Sequence, residues 1–598
     1  MRKTACLVLL VAPLFFVAVA QSISLTQLPP PPTPPPIDWS KLDPILRQRA
    51  GLLTGRSRIV LRAPSAAALP AALSLVQQLG GSLGRPLPIV IGQAAEVPNV
   101  SLPTLAASGL VEHLSVDRLV AGALERTGST IGATAVRQNL GYDGSGVGVA
   151  VIDSGVSPSH DDLTDPIAGV QRVDQFVDLI NERSVAYDDY GHGTHVAGII
   201  AGNGLDSSGR RSGIAPGAHL IVLKALDGSG RGRISDVIAA LDYVVSHKTE
   251  LNIRIVNLSI ATGVYESYTS DPLTLATARV VREGIVVVAA AGNYGHNAQG
   301  RTQYRGITAP GNAPWVLTVG ASSHMGTIDR ADDTIAAFSS RGPGAIDNGA
   351  KPDLVAPGVG IESLSDPSSS FYVTKSPYLL SGTVPTTYLP YLSLSGTSMA
   401  APVVAGTVAL MLQANPSLTP NAVKAILQYT AEVYPSYDRL TQGAGFLNAS
   451  GAVELAHFLA APDTAEYPSS SNWSGQLIWG NYLIQGGRFT ALANAWSADV
   501  TWGDTTTATG QTVEWGVICT LQSCTDGIGW APWQAPANGQ NVVWGSTCGG
   551  ADCSQTWTTN GTEDDTAVWS TTSVDDGDIV VWGTTCSDPS CDVSWNNP

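Results

Sequence analysis

Short apolar runs alternate with longer amphipathic stretches between residues 130 and 457. The runs are typical of strands buried on both faces, and strands that alternate with helices indicate a parallel sheet covered by helices on both faces. Functional groups of such sheets lie at the carboxyl ends of the strands. The pattern predicts an α/β fold with strands at 147–152, 219–226, 253–260, 285–290 and 315–320 and helices at 236–248, 272–282, 398–414 and 420–431.

The residues before this region have a different pattern. Apolar and polar positions alternate at 58–62, and Gly80-Gly81 ends an amphipathic stretch. We expect a small α+β unit at residues 55–122, with strands at 58–62, 88–91 and 111–116 and helices at 70–79 and 103–108.

The C-terminal region is periodic in tryptophan. A Pro/Ser-rich stretch, 458–472, indicates a linker, and after it one strand and one turn per repeat predict an all-β repeat domain at 473–598. A stacked core is favoured over a sugar-binding platform for these rings, and binding of a surface or polymer by this domain stays open. The repeat is carried by Trp502, Trp515, Trp530, Trp544, Trp557, Trp569, Trp582 and Trp595.

The N-terminus predicts export. Met1-Arg2-Lys3 precedes the apolar run 7–19, which ends in Ala18-Val19-Ala20, so residues 1–20 are predicted to be a secretory signal peptide. The run is shorter than the about 20 apolar residues of a membrane span, and no transmembrane segment is expected. The proline-rich stretch 21–54 is predicted to be a linker. We therefore expect a secreted, extracellular protein.

Charge and cysteine are concentrated in the C-terminal region. The formal net charge is −17, which argues against a nucleic-acid partner held by phosphate contacts. Six cysteines remain after the signal peptide, as three Cys-x4-Cys pairs, and secretion with an even count favours disulfides over a metal site. We predict three local bridges, Cys519–Cys524, Cys548–Cys553 and Cys586–Cys591.

Three polar motifs follow predicted strands or open helices. Asp153 ends the run 147–152, His192 lies in Gly-His-Gly-Thr-His, and Ser398 lies in Ser-Gly-Thr-Ser-Met-Ala. Each has an ordinary structural explanation: a turn aspartate, a packing or metal-binding histidine, and an N-cap serine. The order Asp, His, Ser over one region is what makes catalysis the better interpretation.

With these motifs the region 130–457 resembles the subtilisin-like serine proteases, or subtilases. The motifs Ala289-Ala-Ala-Gly292-Asn293, Phe338-Ser-Ser-Arg-Gly-Pro343 and Lys351-Pro-Asp-Leu-Val-Ala-Pro-Gly358 are similar to the family as well. The resemblance implies a subtilisin-like parallel sheet and identifies the unit at 55–122 as similar to a subtilase propeptide. It also implies a serine endopeptidase made as a self-processing zymogen, with protein or peptide substrates.

The resemblance assigns roles to single residues. His192 is expected to be the general base, Asp153 its partner and Ser398 the nucleophile that forms an acyl-enzyme. Asn293 is expected to donate to the oxyanion, together with the backbone N–H of Ser398. His195, the second histidine of the motif, is expected to pack within its helix.

The chain departs from the family in two places. The substrate-binding segment is expected at Ser259, Ile260 and Ala261, with Gly292, but the family usually has Ser-Leu-Gly-Gly where this chain has Ser-Ile-Ala-Thr. The stretch 366–390 is longer than the usual connection, and either a substrate-selecting lid or a solvated insertion fits it.

No cofactor is required by a Ser/His/Asp mechanism, and no metal is assigned to the site. A structural calcium ion is left open: Asp162 matches a family calcium ligand, and Asn203 and Asp206 lie in the loop that often completes that site. The charges of Arg210 and Arg211 in the same loop oppose a cation.

Overall fold

The computed structural model describes residues 37–116, 123–164, 171–296, 302–462, 466–468, 470–485 and 488–514, and the short segments 517–518, 525–529, 543–544 and 579–581. The chain divides into two compact units, Met1–Asp117 and Arg118–Pro598.

The described part of the first unit contains a four-stranded antiparallel sheet. Its strands lie in the order Ser82–Leu87, Gly92–Pro98, Arg56–Arg62 and His113–Val116. The helices Pro44–Arg49, Leu69–Gln78 and Leu102–Ala107 complete the unit. Leu46, Ile59, Val76, Leu105 and Leu114 belong to its own hydrophobic core.

One predicted strand of this unit is wrong. Residues 88–91 form a 3-10 turn, Pro88–Val90, which ends at Ile91 with a φ of 51°. Pro88 has no N–H to donate to a ladder, and the turn reverses the chain between two strands that pair antiparallel. Neither of those strands was predicted. Ser82–Leu87 is almost entirely exposed and carries no apolar alternation that would indicate a strand.

An eight-stranded sheet forms the centre of the second unit, and it confirms the predicted parallel α/β fold. Its strands pair in parallel, except that Leu317–Ser323 pairs antiparallel with Thr334–Ile335. The strand Leu354–Pro357 also pairs with Leu317–Ser323. The sheet order is Thr334–Ile335, Leu317–Ser323, Val286–Ala290, Ile253–Leu258, Gly148–Asp153, His219–Lys224 and Val173–Asp178.

Two helices contain the predicted base and nucleophile: the histidine helix, His192–Ala201, and the serine helix, Thr397–Ala414. The serine helix packs on the histidine helix and on several strands of the sheet. It is the one helix of the described chain that is long and apolar enough to cross a membrane, but 94% of that window is buried inside the protein, as in a core helix. The other helices are Ala123–Thr130, Ala133–Ala135, Ile234–His247, Pro272–Arg282, Ser370–Thr374, Pro420–Thr430, Arg439–Gln442 and Ala449–Ala460.

The insertion 366–390 is attached to a small antiparallel sheet. The strands of this sheet lie in the order Ile361–Leu364, Tyr391–Leu394 and Leu379–Leu380, and only the last belongs to the insertion. The further short strands of the second unit are Arg231–Arg233, Gln303–Tyr304, Gln476–Trp479, Tyr482–Gln485, Arg488–Phe489, Val517–Ile518, Thr525–Gly529, Val543–Trp544 and Ile579–Val581.

The structure does not divide the chain at the predicted linker 458–472. The helix Ala449–Ala460 continues past residue 457, and Trp479, Trp496 and Trp502 belong to the same hydrophobic core as the parallel sheet. All six cysteines of the predicted disulfides lie outside the described residues, and so do most of the later repeat tryptophans.

Candidate active site

Asp153 is the last residue of the central strand Gly148–Asp153 and is fully buried. One carboxylate oxygen accepts from the N–H of Ser154 (2.7 Å), and the His192 Nδ1 lies 2.8 and 3.0 Å from the two oxygens. Burial raises the pKa of Asp153 to about 8, while the Ser154 N–H and the charge of Lys224 act in the opposite direction and favour the carboxylate.

His192 is the first residue of the histidine helix. Asp188 holds this end of the helix, because its two carboxylate oxygens accept from the N–H groups of Gly191 (2.7 Å) and Thr194 (2.8 Å). At Gly193 an added Cβ would lie 2.2 Å from the carbonyl oxygen of Gly155, so glycine is what allows the helix to approach the end of the strand. Burial lowers the pKa of His192 well below its usual range, which keeps the imidazole in the neutral form that a general base needs.

Ser398 is the second residue of the serine helix, and its carbonyl is free of the usual helical bond. The residue four positions on is Pro402, which has no N–H. The hydroxyl of Ser259 donates to this carbonyl instead (2.8 Å), and Ser259 in turn accepts from the side-chain amide of Asn257 (2.9 Å). The predicted substrate-binding residue Ser259 therefore uses its side chain to support the nucleophile's helix.

The neighbouring predicted residues are buried. Ile260 is 1% and Ala261 3% exposed, so neither residue offers its side chain to a substrate. Gly292 has a φ of 101°, and an added Cβ would lie 2.7 Å from the methyl group of Thr308. A side chain is thereby excluded directly before Asn293.

Asn293 lies beside the start of the serine helix. Its Oδ1 accepts from the backbone N–H (3.0 Å) and from the hydroxyl (2.9 Å) of Thr397. The amide is thereby oriented, and Nδ2 is the end left to donate towards a reacting carbonyl. The hydroxyl of Thr397 also accepts from the N–H of Gly292 (3.2 Å). The first residue of the serine helix is therefore bonded to both Gly292 and Asn293.

His195 is a packing residue, as predicted. It is fully buried, and its Nε2 lies 3.1 Å from the carbonyl of Ile361 and 2.9 Å from that of Leu392. Burial lowers its pKa to about 3, so this ring stays neutral.

Two buried charged residues that support the site were not predicted from the sequence. Asp188 and Lys224 are both fully buried, and Lys224 donates to the carbonyls of Ser154 (2.6 Å) and Leu226 (2.8 Å) and to Asp189 (2.6 Å). A lysine at the end of the otherwise apolar run 219–226 was the available signal, since an isolated buried ammonium group needs partners.

Three buried side chains lie at the predicted calcium site: His160, Asp162 and Asp206. Their possible ligand atoms lie within 4.8 Å of one another. Both oxygens of Asp162 already accept hydrogen bonds, from the Asp206 N–H (2.8 Å) and the Tyr391 hydroxyl (2.7 Å). Both nitrogens of His160 are engaged as well, with the Asp162 N–H (3.1 Å) and the Pro390 carbonyl (2.8 Å). Asp206 Oδ2 is left without a hydrogen-bond partner within the described ranges.

The loop residues do not complete a calcium shell. Asn203 Oδ1 accepts from the Leu205 N–H (2.9 Å), and Arg211 pairs with Glu362 (2.5 Å). Calcium takes about six to eight oxygen ligands. Within the described residues the side chains around Asp162 are hydrogen-bonded except at Asp206 Oδ2, so they offer fewer open oxygens than such a shell needs, and a structural calcium ion stays a prediction.

The chain is similar in sequence to several known proteins. A family model described as the subtilase family matches residues 144–453. Serine protease AprX of Bacillus subtilis (strain 168) is 40% identical over 323 residues, which are 53% of this chain and 68% of that protein. Subtilisin E of the same organism is 31% identical over 385 residues, 64% of this chain and 85% of its own. A solved structure of a cold adapted subtilisin-like serine proteinase is 28% identical, covers 51% of this chain and 88% of its own, and has a TM-score of 0.37.

Proposed function

The chain belongs to the subtilase family of serine proteases, and on that premise we propose that it is a secreted endopeptidase that hydrolyses peptide bonds through an acyl-enzyme on Ser398. The observation that carries the proposal is the 2.8 Å contact between Asp153 and Nδ1 of His192, where the histidine helix packs on the helix that begins with Thr397 and Ser398.

The chemistry follows from these positions. Asp153 holds the Nδ1 side of the ring, so that Nε2 takes the proton of Ser398 as it attacks and returns it to the leaving amine. The Asn293 amide and the N–H of Ser398, at the positive end of the serine helix, stabilise the oxyanion that forms. No cofactor takes part in these steps.

The decisive variant is Ser398→Ala. We expect hydrolysis of a denatured protein to fall by at least about 10³-fold, because the covalent step is lost. Ser235→Ala, an exposed serine on the helix Ile234–His247, should retain wild-type activity. Equal hydrolysis by wild type and Ser398→Ala would contradict the proposal and leave a catalytically silent subtilase fold.

We also propose that the unit at 55–122 is a propeptide removed by the enzyme itself. It precedes the catalytic region and has its own core and sheet, as a folded inhibitory unit would. The helix Ala123–Thr130 contains Arg126, which is 4% exposed, so cleavage is expected before Ala123 rather than as far on as Arg126. An extended segment is what a protease cleft accepts.

N-terminal sequencing of active enzyme tests the propeptide. The mature chain should begin between residues 118 and 123, and Ser398→Ala should keep the unit attached. A fully active protein that begins near Gln21, directly after the predicted signal peptide, would contradict processing while leaving the protease assignment intact. Recovery of the mature chain from the medium of the cells that produce it tests export.

A further inference from the structure

The insertion 366–390 is packed against the loop that leads into His192. Its short helix Ser370–Thr374 begins after Ser369, whose hydroxyl accepts from the N–H of Tyr372 (3.2 Å). The backbone N–H of Ser370 donates to the carbonyl of Asp189 and that of Phe371 to the carbonyl of Tyr190, both at 3.0 Å. These two bonds join the start of the insertion to the residues directly before the proposed base.

Phe371 makes ring contacts with both Tyr190 and His192. Its side chain is 2% exposed, its ring centroid is 4.5 Å from that of Tyr190, and it meets the His192 ring edge-on at 6.4 Å and 84°. Gly191 is close as well, since an added Cβ there would lie 2.5 Å from the Ser369 hydroxyl. The insertion is therefore neither solvated nor remote from the site at this point.

Charged groups also bind the loop 188–191, which leads into His192. Asp188 binds the N–H groups of Gly191 and Thr194, and Lys224 binds the carboxylate of Asp189. Tyr190 extends over Gly230, where an added Cβ would lie 2.4 Å from the tyrosine Cζ. Of these contacts, the aromatic one from Phe371 is the one that reaches the imidazole ring itself.

We propose that Phe371 is a positioning residue for catalysis. With the backbone bonds of residues 370 and 371 it fixes the loop 188–191, and its ring, perpendicular to the imidazole of His192, holds that imidazole in its bonded orientation towards Asp153 and keeps water from that side. This inference rests on the proposed protease function. It gives the first part of the insertion a role inside the active site, which sets it apart from a lid that opens over substrate.

The electrostatic surroundings of His192 define what a change at Phe371 should do. Among the described residues, the charged or titratable groups around the ring include Asp153 from the central strand, Asp188 from the loop and His195 from the same helix, and Lys224 acts on Asp153. Burial is the main cause that lowers the pKa of His192. Admitting water beside the ring removes part of that burial, so this pKa should rise.

The kinetic test compares Phe371→Ala and Phe371→Leu with Val373→Ala, a 72% exposed residue of the same short helix. On a small peptide amide, Phe371→Ala should lose about 10- to 100-fold in kcat with little change in KM, because the base is misplaced and not the substrate. The acid limb of its kcat/KM profile should move to higher pH. Phe371→Leu, which keeps most of the volume, should recover much of the loss, and Val373→Ala should match wild type.

An activity-independent readout separates this inference from the protease assignment. NMR titration of the His192 ring in the Ser398→Ala background, with and without Phe371→Ala, should show a higher pKa in the double variant. An unchanged His192 titration, or a kcat and acid limb unchanged in Phe371→Ala, would overturn the positioning role even if the enzyme is a protease. If Phe371→Ala does not fold, Phe371→Leu must still show a smaller shift of the same sign, and its absence would overturn the role as well.

Discussion

Thr397 decides which end of the Asn293 amide faces the nucleophile. Its N–H and its hydroxyl both bind Oδ1, at 3.0 and 2.9 Å, and a hydrogen-bond donor is therefore left on the side where negative charge would develop. An amide held in this way needs no reorientation during the reaction, which is the condition under which such donors are most effective.

We expect Asn293→Ala to lower kcat by about 10²–10³ with KM nearly unchanged, a loss measured for the corresponding donor of subtilisin, a member of the same family. Thr397→Val keeps one of the two bonds to Oδ1 and should lose less, about tenfold or below. Steady-state kinetics on one peptide amide compares both variants with wild type. A larger loss in Thr397→Val than in Asn293→Ala would contradict the proposed orientation of the amide.

Asp153, His192, Asn293 and Ser398 could be proposed from the sequence because each lies in a local motif. The contacts that hold them depend on residues far apart in the chain, and no spacing rule reveals such contacts. The bond from Ser259 to the carbonyl of Ser398 joins positions 139 residues apart. Pro402 was the local sign that this carbonyl needs another partner, but only the fold shows which residue supplies it.

At the scale of elements, a buried charge cluster joins a helix to the central sheet. Asp353, just before the strand Leu354–Pro357, binds Lys351 and Lys424 at 2.9 Å each, and all three side chains are 2–3% exposed. Lys424, on the helix Pro420–Thr430, also donates to the carbonyls of Pro314 (2.7 Å) and Val316 (3.0 Å). The cluster therefore fixes this helix against the chain that enters the strand Leu317–Ser323.

We predict that Asp353→Asn destabilises the protein by about 3–5 kcal/mol, because it leaves two buried ammonium groups without a carboxylate. Lys424→Met leaves one balanced pair and should cost less. Asp347→Asn, at a partly buried carboxylate that binds Ser267 and the N–H of Tyr268, should cost about 1 kcal/mol. Thermal unfolding measures all three, and equal losses in Asp353→Asn and Asp347→Asn would contradict the role of the cluster.

The elements themselves were predictable where burial imposes a clear pattern. The five predicted strands and four predicted helices of the region 130–457 lie within a few residues of the observed ones, since strands buried on both faces are continuously apolar. Val173–Asp178 was missed because it lies at the edge of the sheet and only Asp178 in it is buried. The turn at Pro88–Val90 was mistaken for a strand because an apolar run of four residues does not reveal its backbone angles.

At the scale of the whole molecule, residues 473–514 are part of the catalytic unit and not a separate module. All residues of the helix Pro420–Thr430 are buried, which a surface helix would not be. Asn421 donates to the carbonyls of Ala495 (3.0 Å) and Val500 (2.8 Å), and the Gln428 side chain accepts from the N–H of Ile478 (2.8 Å). The regular spacing of tryptophan could indicate strands, but it could not show that the first of them pack on this helix.

Aromatic side chains of this segment also pack near the helix. The ring centroids of Trp479 and Trp502 lie 4.5 Å apart, and the ammonium group of Lys424 lies 4.7 Å from the Trp502 ring centroid. Phe489 stacks on Trp496 at 5.1 Å and reaches Tyr429 of the helix at 5.7 Å. Large aromatic rings contribute more buried apolar area per residue than any other side chain, so their removal would expose the helix and the charged cluster together.

Two shortened chains test whether residues 473–514 stabilise the catalytic unit. Each carries Ser398→Ala to prevent self-cleavage. A chain that ends at Asn472 lacks the whole segment, whereas one that ends at Glu514 keeps Trp479, Trp496 and Trp502. Losing three buried tryptophans should remove several kcal/mol, since a single Trp→Ala in a core costs about 3–5 kcal/mol. We expect the shorter chain to melt at least about 10 °C lower, or to be recovered unfolded, because 1 kcal/mol shifts Tm by about 2–4 °C in domains of 150–250 residues. Equal melting temperatures for the two chains would show that the segment is a dispensable appendage, as the linker-like composition of 458–472 first indicated.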